Sequence, residues 1–225
     1  MINSVCIFGD SVAKGVVFDA VRNKYRLLKE SFANIVEQQQ NISILNFARF
    51  GCTISMGGEI LKRHESELKR FDYTILEFGG NDCDYNWAEV AEDPFRPHLC
   101  NTPIPQFREK YAELISRVRQ NGGNPVLFNL PPIDPKRYFR WISKGLDKNN
   151  LLAFLGEIET IYSWQEMYSR TVEELAAAEK IPLIDIRSSF LSKKHFSYYL
   201  CADGIHPNEK GHRLISRAIR EKAFL

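Results

Sequence analysis

Short apolar runs and longer runs with helical spacing take turns along almost the whole chain, and that alternation does most to restrict its fold. The apolar runs lie at 4–9, 42–47, 73–78, 125–130 and 182–186. Between the first two, the later part of 19–40 places Phe32, Ala33, Ile35 and Val36 behind Ser31, a residue type that caps helix N-termini. Helices are also predicted over 53–69, weakened in its first half by Gly57-Gly58, and over 105–120, where Phe107, Tyr111, Leu114, Ile115 and Val118 share a face before Gly122-Gly123. Two more are predicted, over 157–180 and over 209–222, the last with Asn208 as its N-cap. Parallel strands need crossovers of about a dozen residues or more, which helices provide. The expected architecture is α/β, a parallel sheet with helices on both faces.

At 225 residues and 44% hydrophobic, the chain has the material for one good core, and residues 1–225 read as a single domain. Lys and Arg number 30 against 28 Asp and Glu, for a net charge of +2, and the basic residues are scattered, which argues against nucleic acid as a partner. No apolar run approaches the ~20 residues of a membrane span, and the first residues lead straight into a strand, so a cytoplasmic location is expected. The five cysteines are widely spaced without a C-x-x-C pair, which suits reduced thiols. Residues 133–156 fall outside the alternation and carry Tyr138, Phe139, Trp141, Leu151, Leu152, Phe154 and Leu155. Two readings stay open for this stretch, core under a loop or a lid insertion over a substrate. Residues 188–202 read as a loop.

Three strand ends carry residues with chemical use. Val5-Cys6-Ile7-Phe8 delivers Gly9-Asp10-Ser11 to a sharp turn at the sheet edge where open α/β sheets place ligands. Gly79-Gly80-Asn81-Asp82 leaves the third strand through a tight exit, and Asp203-Gly204-Ile205-His206 lies after the last strand and before the last helix. A serine hydroxyl needs a base within hydrogen-bond reach, and the base needs an orienting acid; Ser11, His206 and Asp203 make that set. The backbone N–H of Ser11, the backbone N–H of Gly51 and the Asn81 amide are candidate donors to an oxyanion, each worth ~2.7–4 kcal/mol of transition-state stabilisation.

Gly9-Asp10-Ser11, Gly51, Gly79-Gly80-Asn81-Asp82 and Asp203-Gly204-Ile205-His206-Pro207 resemble, in order, the four blocks of the Ser-Gly-Asn-His (SGNH, or GDSL-type) hydrolases. The resemblance implies a three-layer α/β/α sandwich with a flavodoxin-like, five-stranded parallel sheet, and hydrolysis of carboxylic esters through a serine acyl-enzyme without a metal or other cofactor. It makes Ser11 the nucleophile and an oxyanion donor, Gly51 and Asn81 the other donors, Asp203 the orienting acid and His206 the general base. Val12 stands where the family name expects leucine, and 133–156 matches no block.

The expected substrate is a small-molecule ester with a small acyl group, such as an acetylated carbohydrate. Lysophospholipase or acyltransferase activity, or a non-catalytic module that binds an acylated glycan or lipid, are the alternatives. His64 and His195 read as solvated, His212 as a residue of the final helix, and His98 as part of a loop bordering the site. Cys83 reads as a small buried residue, and the spacing of Cys201, Asp203 and His206 matches no zinc pattern. Sequence alone says nothing of oligomeric state.

Overall fold

In the computed structural model, which describes residues 2–221, the chain enters through β1 (Ser4–Gly9), a strand buried on both faces from Val5 onward, as suits the centre of a parallel sheet. A one-turn helix, α1 (Ser11–Lys14), follows, and then an antiparallel hairpin, β2 (Val16–Asp19) and β3 (Lys24–Leu27). The hairpin is absent from the sequence reading, since its second strand, Lys-Tyr-Arg-Leu, has mostly exposed side chains and no apolar run to mark it. Helix α2 (Phe32–Gln40) is capped by the Ser31 side chain as predicted, and β4 (Ser43–Asn46) follows. Next come α3 (Ile54–His64), which a 3₁₀ turn extends over Glu65–Arg70, then β5 (Tyr73–Glu77), α4 (Trp87–Glu92), α5 (Ile104–Gln120) and β6 (Pro125–Phe128).

Residues 133–156, read as core under a loop or as a lid insertion, are helical and contribute to an apolar cluster. They fold into α6 (Pro135–Ile142) and α7 (Lys148–Leu155), with Asp134 and Asp147 as side-chain N-caps. After these, α8 (Thr160–Ala178) leads to β7 (Leu183–Ile184). The stretch at 188–202, expected as loop, instead contains most of α9 (Ile186–Leu191) and a 3₁₀ turn at Phe196–Tyr199. The final helix is α10 (Glu209–Glu221), with Asn208 accepting from Lys210 and Gly211; the predicted end at Lys222 lies outside the described residues.

The five long-sheet strands are all parallel and run in the order β4-β1-β5-β6-β7, the flavodoxin-like order of a doubly wound sheet. Side chains alternate between faces along a strand, so each strand feeds two cores. Cys6, Phe8, Leu76 and Leu127 pack with α3, α5 and α8, whereas Val5, Ile7, Ile75, Val126 and Ile184 pack with α2, α9 and α10. Gly57, which weakens α3 by propensity, is explained by this packing. A Cβ there would lie 2.3 Å from the Phe78 ring, so only glycine lets the helix settle on it. The α6–α7 segment builds a third apolar cluster with α4 and the start of α8, around Trp87, Val90, Ile133, Phe139, Leu151 and Ile161.

Candidate active site

In a sheet of this order the crevice opens where the chain reverses its direction of winding, at the carboxyl ends of β1 and β5. Ser11 is the first residue after the turn from β1, Asn81 follows β5, and Asp203 and His206 approach in the loop before α10. Gly9 makes the turn possible by close approach, because a Cβ on it would sit 2.8 Å from the Glu77 carbonyl oxygen.

Residues 195 positions apart meet here. The Nε2 atom of His206 lies 2.9 Å from Ser11 Oγ, and its Nδ1 lies 2.7 Å from Asp203 Oδ2. Asp203 is wholly buried, and its Oδ1 accepts the backbone N–H groups of Ile205 and His206 at 3.2 Å each. An acceptor-only carboxylate on Nδ1 requires Nδ1–H, which leaves the Nε2 lone pair facing the serine hydroxyl.

Asn81 Nδ2 donates to Asp10 Oδ2 at 3.0 Å and makes a longer contact with the Cys52 carbonyl at 3.4 Å. Asp10 is buried, and its Oδ1 caps α1 by accepting from Val12 N–H at 2.8 Å. The N–H of Ser11, in the first turn of α1, has no acceptor within the helix. Gly51 sits in the turn after β4 with φ of 69° but does not line the cavity at Ser11, where its neighbour Phe50 does. Asp82, adjacent to Asn81, pins the loop. It accepts from Ile54 N–H and from Thr102 Oγ1, and burial pushes its carboxyl up to about 6.

A cavity of about 340 Å³ opens beside Ser11, His206 and Asn81. Tyr25, Phe50, Trp87, Tyr138, Trp141 and Trp164 give it flat aromatic walls. Asp84 also lines it, with Oδ1 accepting Trp87 Nε1–H and Tyr138 O–H at 2.7 Å each, and burial raises its pKa. The cavity is thus framed by α6 and by the hairpin residue Tyr25, whose ring centroid is 5.2 Å from that of His206. Burial and the Asp203 charge push the Tyr25 phenol well up, so it stays neutral.

A model of the GDSL-like lipase/acylhydrolase family matches residues 7–214, from β1 through the His206 loop into α10. The chain belongs to that family. Spore germination lipase LipC of Bacillus licheniformis is similar to this GDSL-like chain at 22% identity, over 96% of this chain and 94% of its own. A lipase/acylhydrolase from Enterococcus faecalis superposes with a TM-score of 0.70 at 20% identity, covering 98% and 95% of the two chains. A carbohydrate acetylesterase family member from Sinorhizobium meliloti superposes with a TM-score of 0.68 at 14% identity, covering 98% and 96%. At such identities the superpositions speak for the fold, a parallel five-stranded sheet between helices. Family membership makes the protein an ester hydrolase.

The remaining sequence candidates separate cleanly. His98 bonds the Asp93 carbonyl at 2.7 Å and packs on Phe154, outside the cavity lining; His64 packs on Phe47 and bonds Glu67 instead of standing free in solvent. His212 is wholly buried and accepts Phe32 N–H through Nδ1; burial lowers its pKa to about 3. Cys83 lines the cavity and is half-buried where a buried residue was expected; desolvation raises its thiol pKa well above the usual range. Among the described residues no group of three or more His, Cys, Asp or Glu is arranged to hold a metal, and no helix is long and apolar enough to cross a membrane. Tyr25, Glu77, Asp84 and Gln165 are among the cavity residues that sequence reasoning missed.

Proposed function

We propose that Ser11 is the nucleophile of this hydrolase, His206 its general base and Asp203 the acid that orients the imidazole. The hydrogen-bonded line Ser11 Oγ to His206 Nε2 at 2.9 Å and His206 Nδ1 to Asp203 at 2.7 Å carries this reading. As Oγ attacks the ester carbonyl, Nε2 takes its proton, and the imidazolium returns that proton to the departing alkoxide. Water then attacks the acyl-enzyme with His206 as base again, releasing the carboxylic acid and restoring Ser11. The oxyanion is held by Ser11 N–H and Asn81 Nδ2; Gly51, expected as a third donor, lies outside the cavity lining. Turnover of a short-chain aryl ester is expected to vanish in Ser11→Ala while the fold persists; wild-type activity in that variant would refute the nucleophile.

The substrate we infer is a small-acyl ester of a carbohydrate, acetyl above all. Flat aromatic walls suit a sugar ring, and Asp84, fixed on one oxygen by Trp87 and Tyr138, is an acceptor for a hydroxyl. Among the described residues no Lys or Arg lines the cavity, which disfavours a phosphate-bearing alcohol. The likeness to a carbohydrate acetylesterase family member agrees with this choice. A second reading, an acyl chain in the same space, is favoured by the apolar wall of Leu130, Ile133, Ile142 and Ile161. Acetylated sugars assayed against nitrophenyl esters of rising chain length decide between them. Preference for chains of roughly eight carbons or more would overturn the carbohydrate assignment.

A further inference from the structure

Glu77 ends β5 directly under the Ser11 turn, with its side chain wholly buried. Its Oε2 accepts the backbone N–H groups of Asp10 at 3.3 Å and Ala13 at 3.2 Å, which ties the strand to both ends of the nucleophile turn. Its Oε1 meets no N–H or hydroxyl donor. The acid beside it is Asp10, also buried, whose own N–H it accepts, and each carboxyl shifts the titration of the other. Two buried carboxylates side by side have only acceptors to offer each other, so a single proton shared between them relieves their repulsion.

The surroundings decide which acid owns it. Burial presses both acids toward the neutral form, but Asp10 accepts from Val12 N–H and Asn81 Nδ2 and feels His206, all of which favour its anion, whereas Glu77 also feels the Asp10 charge. Asp82 from the loop after β5, Cys52 from the loop after β4 and Tyr111 from α5 also face the pair, and burial first, then the acids, push the pKa values of both Cys52 and Tyr111 upward. Among the described residues, Glu77 and Asp10 form no ion pair with Lys or Arg.

We propose that Glu77 is a positioning residue: as a neutral acid it donates its proton to the Asp10 carboxylate, and Asp10 in turn holds the Asn81 amide with its NH₂ group toward Ser11. The proposal rests on the reading of Ser11 and Asn81 above. An acceptor-only partner selects one of the two flips of an asparagine amide, because the other would set a carbonyl oxygen against a carboxylate. One Nδ2–H is then spent on Asp10, and the other, on a long contact to Cys52, is left for the substrate oxygen. Sharing one proton also keeps the two acids from placing two negative charges beside a developing oxyanion. When alkali removes that proton, the carboxylates repel each other and Asn81 loses its support.

Two variants test this with a short-chain aryl ester. Glu77→Gln keeps an oxygen for the two backbone N–H groups and an N–H for Asp10, but does not titrate. It is expected to hold kcat within about threefold of wild type at neutral pH and to lose, or shift upward by about one pH unit or more, the alkaline fall in kcat. Glu77→Leu removes the proton bridge and is expected to lower kcat about tenfold or more, below the full loss of an oxyanion donor, with KM little changed. An alkaline limb in Glu77→Gln identical to that of wild type would overturn the proposal, and this comparison stands even if Glu77→Leu fails to fold. So would a Glu77→Leu enzyme with wild-type kcat. The Ser11→Ala variant, assayed alongside, tests the nucleophile separately from the support beneath it.

Discussion

Asp203 serves His206 through one oxygen on Nδ1 and through two backbone N–H groups on the other, so it fixes both the ring and the loop that carries it. Asp203→Asn keeps the shape but offers Nδ1 an N–H or a weaker acceptor, and kcat on an aryl ester is expected to drop by about 10²–10⁴. Asn81→Ala removes a single oxyanion donor and is expected to cost about 10²–10³ in kcat with little change in KM; steady-state kinetics read both. His212 is expected to show in stability instead of turnover. It holds its neutral form down to about pH 3, whereas in the unfolded chain it takes up a proton near pH 6.5, so the unfolded state gains protons as the pH falls between those values. Denaturant titrations of His212→Gln should therefore lose less stability than wild type between pH 6.5 and pH 4, by up to ~1.4 kcal/mol per pH unit. Equal slopes would contradict the assignment. Ser11, Asn81, Asp203 and His206 were legible in the sequence because each sits in a short local pattern, Ser11 and Asn81 after strands and Asp203 and His206 before the last helix. Glu77, Asp84 and Tyr25 were not, since their meaning comes from burial and from partners such as Asp10, Tyr138 and Asp203 that lie far away along the chain.

At the scale of elements, periodicity located the buried strands and the amphipathic helices, because burial writes a regular pattern into them. It failed where elements are short or exposed. The β2–β3 hairpin has mostly exposed side chains in its second strand, and α9 is only six residues long, too brief for a 3.6-residue repeat to show. The α6–α7 segment was ambiguous for a different reason. Its apolar residues are shared between the third core cluster and the cavity wall, so Ile133 and Tyr138 belong to both. In α3 the interior glycine runs against helix propensity and tertiary contact explains it. Gly57→Ala would force a methyl group into the Phe78 ring, and a loss of about 1–3 kcal/mol is expected in thermal or denaturant melts despite the better helix former. A stabilised variant would mean that α3 sits further from the sheet than described.

For the whole molecule, the winding of the sheet does what no local motif does: it brings the carboxyl ends of β1 and β5 and the loop before α10 to one crevice. Two apolar cores, one on each face, hold the strands in register, and the third cluster places α6 along the crevice with α7 packed behind it. The rim is thereby hydrogen-bonded to the sheet on the nucleophile's side and lined by aromatic side chains on the other. A fluorophosphonate reports on that convergence most directly, because it bonds covalently only to a hydroxyl whose proton a neighbouring base removes. Peptide mapping by mass spectrometry after labelling the active protein is predicted to find the adduct on Ser11, and to find none on Ser11 in His206→Ala. An adduct on another residue, or an active enzyme that takes up no label, would contradict the central claim.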